Sequence, residues 1–297
     1  ITTNQLMTAK LMTLEEATQL IPDGSSVGIA SPSVGPVALV PMALIREIVR
    51  QRKRDLDLYT PIMGLEGDLL IGAGCLKAVQ AFAFRIIGQA VPPNFRRASI
   101  EGTITTREES EFSVTLGLLA GSMGVQFIPL HGYQNDHLQH HPEWHQFTSP
   151  VDGQEMVTIT AITPDVAIVH VPKSDPEGNA KLGDTNDLNV MAAFSAPAMV
   201  RGAKRVILTA EEIVTNEEIR ATPDETSILY HDVDAVVHVP HGAHPFGVTG
   251  YYEPDLEHFE EYLKAANTPE SFEEYLKHFV NEPTDASAYL ELVGVRA

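Results

Sequence analysis

Cysteine is almost absent: Cys75 stands alone in 297 residues. One cysteine permits neither an internal disulfide nor a CxxC metal or redox pair, which fits a reducing compartment. Its setting, LLIGAGCLKAV, is apolar. A buried, inert thiol is expected there, because reactive thiols want an electropositive and partly exposed place. Positive charge is scarce too. Twenty Lys and Arg face 40 Asp and Glu, for a formal net charge of −20. Nucleic acid is therefore not an expected partner, since phosphate binding needs a basic face. No run of about 18 apolar residues occurs, so no membrane span is expected. The opening ITTNQLMTAK lacks a basic start followed by an apolar stretch. It does not read as a secretory leader, and a cytoplasmic location is the expectation. The P-loop pattern GxxxxGK[ST] and the zinc pattern HExxH are missing, and Gly28–Gly35 is not GxGxxG. No α/β-hydrolase nucleophile elbow is read either.

What the chain does have is apolar content, 43%, enough for one large α/β domain. A single domain over residues 1–297 is expected. Thr13-Leu-Glu-Glu16 has the form of a capping box ahead of a short helix. Ser26–Ala30, Leu56–Ile62, Ala78–Phe84, Val125–Leu130, Val157–Ile162, Val166–Pro172, Arg205–Thr209 and Ala235–Val239 read as strands. A helix is expected after Pro41, with Arg46, Arg50, Arg52, Lys53 and Arg54 as solvated charge at its C-terminal half. Another is expected over Glu109–Met123, with apolar spacing at Phe112, Leu116, Leu119 and Met123. Pro254–Ala266 and Pro269–Val280 read as acidic amphipathic helices. Strand, glycine-rich turn, helix and strand again is the rhythm of an open, mostly parallel α/β sheet flanked by helices.

Two stretches break this rhythm. Pro92–Glu111, PPNFRRASIEGTITTREESE, concentrates Arg96, Arg97 and Arg107 with Glu101, Glu108, Glu109 and Glu111. It has too few large apolar groups to be held by packing alone and reads as a solvated connection or a functional loop. His131–Asp152 holds His137, His140, His141 and His145 with the only Trp. Spacings of three and four suit imidazole ligation on a helix face, but Pro142 interrupts any helix. A surface or substrate-gating loop is expected there, and no metal.

GLEGDLLIGAGCLKAVQAF, the Pro92–Leu130 segment, TSPVDG, DPEGNA, RVILTAEEIV and PHGAHP together resemble the α subunits of family I CoA-transferases, the glutaconate type above all. The chain is also similar to the α subunit of ring-cleaving acyl-CoA hydrolases in the same superfamily. The resemblance implies a CoA-transferase fold and an αβ heteromer. It implies a CoA thioester and a carboxylic acid as substrates, with no permanently bound cofactor. In such transferases a β-subunit glutamate attacks the thioester, in a Ser-Glu-Asn-Gly-like motif this chain lacks. Glu66-Gly67 is only a superficial match.

In the hydrolase-type relatives a glutamate within the stretch matching Arg107–Glu111 is implicated in catalysis. Glu108 is the best match and Glu111 the runner-up. The competing reading is that Glu109 and Glu111 merely open a helix. Asn94, Arg96 and Arg107 are candidate substrate contacts, with Arg96 and Arg97 able either to hold an anionic acyl carboxylate or to pair with the glutamates. Ser31, Ser33 and Gly35 would face the strand-end crevice, where some relatives carry basic residues. His244 is a candidate for the pocket rim. Three readings stand open: a transferase α subunit, a hydrolase α subunit, and a non-catalytic scaffold.

Overall fold

The computed structural model describes residues 10–30, 35–87, 91–131, 137–183 and 190–295. Ser31 and Ser33 lie outside the described residues. At the first helix, α1 (Leu14–Thr18), the Thr13 hydroxyl accepts from the Glu16 N–H, and Glu16 Oε2 accepts from the Thr13 N–H, closing the expected box. There follow β1 (Ser26–Ile29), α2 (Met42–Arg50), β2 (Leu56–Tyr59), β3 (Ile62–Met63), α3 (Leu65–Gly72), β4 (Leu76–Ala81) and β5 (Ala83–Phe84). Next come α4 (Pro93–Glu101), β6 (Thr105–Glu108), α5 (Glu111–Ser122), β7 (Phe127–His131), α6 (His137–His140), β8 (Gln146–Thr148) and β9 (Glu155–Thr160). The chain continues through β10 (Val166–Ser174), β11 (Ala180–Lys181), α7 (Val190–Gly202), β12 (Val206–Ile213), α8 (Asn216–Ala221), β13 (Thr226–Ile228) and β14 (Ala235–His238). It ends in α9 (Leu256–Ala265), α10 (Pro269–Leu276) and α11 (Ala286–Leu292).

The main sheet runs β14-β12-β10-β1-β2-β4-β6, every neighbouring pair parallel. Short antiparallel β11 and β13 extend the end of β10. β10 carries near-continuous apolar residues, as a parallel strand covered on both faces should. The main core runs from Ile21, Val27 and Ile29 through Ile168, Leu208 and Val236 to Phe259 and Tyr262. A small cluster of Trp144, Val157 and Ile159 sits apart from it.

Several sequence expectations are corrected here. Pro92–Glu111 is not a loop. Pro93 opens α4, Gly102 ends it at φ 68°, and the chain goes straight into β6, the sheet's edge strand. The solvent-facing edge explains the lack of apolar groups, since all four β6 residues are exposed. β7 and β9 do not join the main sheet but pair antiparallel in a separate sheet with β8. On α5 the stripe at Phe112 and Met123 is exposed, and the helix buries Val114, Gly117, Leu118 and Gly121 instead. Small residues win that face because the helix backbone packs closely against Ile162.

Arg46 is not solvated charge. It is buried, its guanidinium lies 3.6 Å over the Tyr289 ring, and it donates to the His244 carbonyl at 2.9 Å. The letters G-x-S-x-G do occur, at Gly24–Gly28, but they lead into β1 rather than turn from strand to helix, and the Ser26 hydroxyl donates to Asp165 at 2.8 Å. They form no nucleophile elbow.

Candidate active site

Strand register builds the site. Tyr59 on β2 pairs with Gln80 on β4, and Gln80 pairs with Arg107 on β6. Directly paired residues leave a sheet on the same face, so these three form a row near the C-terminal ends of their strands. Open α/β sheets take ligands at that end. Side chains alternate along a strand. Glu109, two residues after Arg107, therefore joins the row, and Glu108 leaves on the other side. The Glu109 N–H donates to the Ala81 carbonyl at 3.1 Å, which carries the ladder one residue past β6.

The row floors a cleft of about 860 Å³, walled by Pro142–Trp144 and Ile159–Thr163. Glu109 is buried, 5% exposed. Its Oε1 accepts from Gln80 Nε2 at 2.6 Å, and its Oε2 accepts from the Ser113 hydroxyl. Burial pushes the Glu109 carboxyl up from the usual range, while Ser113, His141 and Gln80 pull the other way. The His141 ring stacks on Trp144 and reaches both Glu143 and the Glu108 carbonyl. Burial also pushes the Tyr59 hydroxyl up, and the Arg107 guanidinium beside it opposes the rise. Arg107 is the one arginine or lysine among the described lining residues. The arrangement joins a fixed cation to a carboxylate able to exchange a proton.

The sequence candidates separate in space. Arg107 and Glu108 line the cleft. Glu108 is exposed on the edge strand, and Glu111 is exposed at the start of α5, outside the cleft. Asn94 is buried elsewhere, bonded to Asp68 Oδ2 at 3.1 Å and to Arg97. Arg96 lies on a separate shallow surface with Arg97, Ile100 and Glu101. Neither touches the cleft, because α4 covers α3 rather than the strand ends. His244 is not at a rim. It is buried, with Nδ1 2.9 Å from the Tyr289 hydroxyl and Nε2 3.2 Å from Asp255, and burial lowers its pKa to about 4. Gly35 is partly exposed in the chain leading to α2.

Glu66 is fully buried and accepts from the Gly64 N–H at 2.8 Å, at the start of α3. Cys75 is buried and its thiol is pushed up to about 11. Among the described residues no three His, Cys, Asp or Glu side chains are grouped to hold a metal, and no helix is long and apolar enough to cross a membrane. Tyr59, Gln80 and Ser113 had no signal of their own, whereas His141 and Trp144 fall in the histidine-rich stretch read as a surface or substrate-gating loop. They come together only through strand register and the fold-back of residues 137–160.

The coenzyme A transferase family model matches residues 11–239. The A subunit of 3-oxoadipate CoA-transferase from Pseudomonas knackmussii is 30% identical over 95% of this chain and 97% of its own. A longer uncharacterized protein of Archaeoglobus fulgidus is 35% identical over 97% of this chain, which spans 63% of that protein's length. The cholesterol ring-cleaving hydrolase IpdA subunit of Rhodococcus jostii is 27% identical over 93% of each chain. The crystal structure of glutaconate coenzyme A-transferase from Acidaminococcus fermentans superposes with a TM-score of 0.86 at 26% identity, covering 96% of this chain and 93% of that one. With this fold, and a cleft at the ends of its parallel strands, the chain belongs to the coenzyme A transferase family.

Proposed function

We propose that this chain is the α subunit of a heteromeric acyl-CoA:carboxylate CoA-transferase. It forms one wall of the acyl pocket, and a β subunit supplies the nucleophilic glutamate. A CoA thioester and a carboxylic acid are the substrates, no cofactor is permanently bound, and the assembly is cytoplasmic. The observation that carries this reading is the place of the cleft. It lies along the exposed edge strand Thr105–Glu108, where a second chain can close it. The Pseudomonas knackmussii relative, itself one subunit of a CoA-transferase, supports the same reading. Glu109 replaces Glu108 as the carboxylate assigned to proton handling, because Glu109 alone of the two is buried and fixed by Gln80 and Ser113. Arg107 is assigned to an anionic group of the substrate, since a guanidinium suits bidentate carboxylate binding.

A second reading is a hydrolase α subunit on the same scaffold. One observation favours it: a buried carboxylate whose pKa is raised suits the base that activates water. The test is to co-express the chain with its partner subunit, supply a panel of acyl-CoA thioesters, and trap with borohydride or hydroxylamine. An adduct on the partner supports the transferase. Hydrolysis without an adduct supports the second reading. An adduct on this chain overturns its placement as the α subunit.

A further inference from the structure

Helix α5 is apolar on both of its sides. One side buries Val114, Gly117, Leu118 and Gly121, against α7 and Ile162. The other carries Phe112, Leu116, Leu119 and Met123 at spacings of four, three and four. That is the stripe of a helix that packs against something, yet Phe112 is 56% exposed and Met123 62%. Leu116 and Leu119 are half-buried between them, and Leu116 is seated on the Val157 and Ile159 cluster. Val125 and Phe127, just beyond the helix, are exposed as well. From Phe112 to Leu130 the sequence holds no Asp, Glu, Lys or Arg, in a chain 20% charged. The covering helices α9 and α10 differ, since they turn Glu257, Glu260, Glu273 and Glu274 to solvent. An exposed apolar surface depleted of charge marks a contact with another protein.

We propose that α5 packs antiparallel against α5 of a second copy of this chain, about a two-fold axis. The spacing of four, three and four reads the same in both directions. One two-fold therefore seats Phe112 on the other copy's Met123, and Leu116 on the other copy's Leu119. Reciprocal contacts of this kind define an isologous interface. Charge favours the same occupant. Each copy carries a formal net charge of −20, and like charges facing each other across an interface are costly, so two copies meet best where charge is absent. A different protein drawn to so acidic a chain would be steered to a charged face instead. The antiparallel sense also keeps the two exposed Glu111 carboxylates a helix length apart. The stripe is not the side of α5 that faces the cleft. Ser113, one residue on and about 100° round the helix, donates to Glu109. A second copy on the stripe leaves the cleft and the exposed edge strand β6 free for a different subunit.

The test co-expresses the chain with its partner subunit and weighs the intact assembly by native mass spectrometry. Two copies of this chain are expected in it. Replacing both Phe112→Glu and Met123→Glu should reduce the assembly to one copy, with the partner subunit still bound and the circular dichroism unchanged. Cysteine pairs give a second readout that needs no destabilising change, because Cys75 is buried and is the chain's only cysteine. A chain carrying both Phe112→Cys and Met123→Cys should form a covalent dimer under mild oxidation, whereas either change alone should not. The two positions lie about 16 Å apart along one helix, beyond the roughly 7 Å a disulfide can span, so a link must join two copies. A wild-type assembly with a single copy overturns the proposal, as does a double glutamate variant that keeps two. Loss of the partner subunit in that variant would give the stripe to the partner and overturn it too. A covalent dimer formed as readily by Phe112→Cys alone, or none from the cysteine pair, would overturn the antiparallel seating.

Discussion

Gln80 Nε2 donates to Glu109 Oε1 at 2.6 Å, tying the end of the edge strand to its inner neighbour across one rung of the parallel sheet. Together with the Ser113 hydroxyl on Oε2, this bond holds a buried carboxylate without neutralising it. Hydrogen bonds to the charged form lower a carboxyl pKa. Ser113→Ala should therefore raise the Glu109 pKa and move the acid limb of kcat/KM upward. Gln80→Leu should do the same, with kcat reduced roughly tenfold. A pH–rate profile checks both, and an unmoved limb in both variants would count against Glu109 as the titrating group.

Arg107 is the fixed cation of the described cleft lining. Arg107→Ala should raise KM for the acyl substrate by roughly 10–100-fold, the range for a lost charge-assisted hydrogen bond. Arg96→Ala, on its separate surface, should leave KM near wild type. Initial-rate kinetics on the two variants decide the matter, and the reverse pattern would return the anion site to α4.

How much of this is legible in the sequence differs from element to element. The buried strands β1 and β10 announce themselves by their mostly apolar runs, and α1 by its Thr13–Glu16 capping box. Both signals are local. The stretch after Pro92 reads as a loop because an edge strand and a helix lying on the surface need few apolar groups. The Arg107–Glu111 segment stands out by its charge and does border the cleft, but the choice of Glu108 over Glu109 turns on strand parity. A shift of one residue sends a side chain to the other face, and no local pattern marks where β6 begins. Arg46 and His244 mislead for a related reason. Their partners Tyr289 and Asp255 arrive from the last helices, far along the chain, so a basic helix end and a histidine in a glycine-bearing loop could not be told from surface features.

Helix α5 stands against the segment after β9 through glycine. A Cβ added at Gly121 would fall well inside contact distance of the Ile162 carbonyl oxygen, a backbone atom that cannot swing away. Gly121→Ala should destabilise the chain by about 1–3 kcal/mol and weaken the Ile159–Thr163 wall of the cleft. A denaturant midpoint reads the first effect. A variant as stable as wild type would show that α5 can slide without loss.

Acid should loosen the C-terminal helices. His244 and His258 are buried, with folded pKa values lowered to about 4 and about 3, chiefly by burial. Both are ordinary, near 6.5, when unfolded. Below about 6.5 the unfolded chain binds the extra protons, so stability present at pH 7 is lost as pH falls toward 4. Each histidine contributes about 2 kcal/mol of this loss by pH 5. Asp68 acts in the opposite sense, since burial raises it to about 6 and its folded carboxyl takes up a proton first. His258→Gln should flatten the fall in urea midpoint between pH 7 and pH 5 whatever its absolute stability. An unchanged slope would show that this network does not carry the acid response.

The central claim is that the buried Glu109, not its exposed neighbour Glu108, is the carboxylate the reaction depends on. Turnover of the acyl-CoA substrate by the reconstituted assembly, compared between Glu109→Gln and Glu108→Gln, tests it most directly. Glu109→Gln should lower kcat by roughly 10²–10⁴-fold, the contribution of a general acid–base group, while Glu108→Gln stays within a few-fold of wild type. Loss of turnover in Glu108→Gln with a nearly wild-type Glu109→Gln would contradict the account.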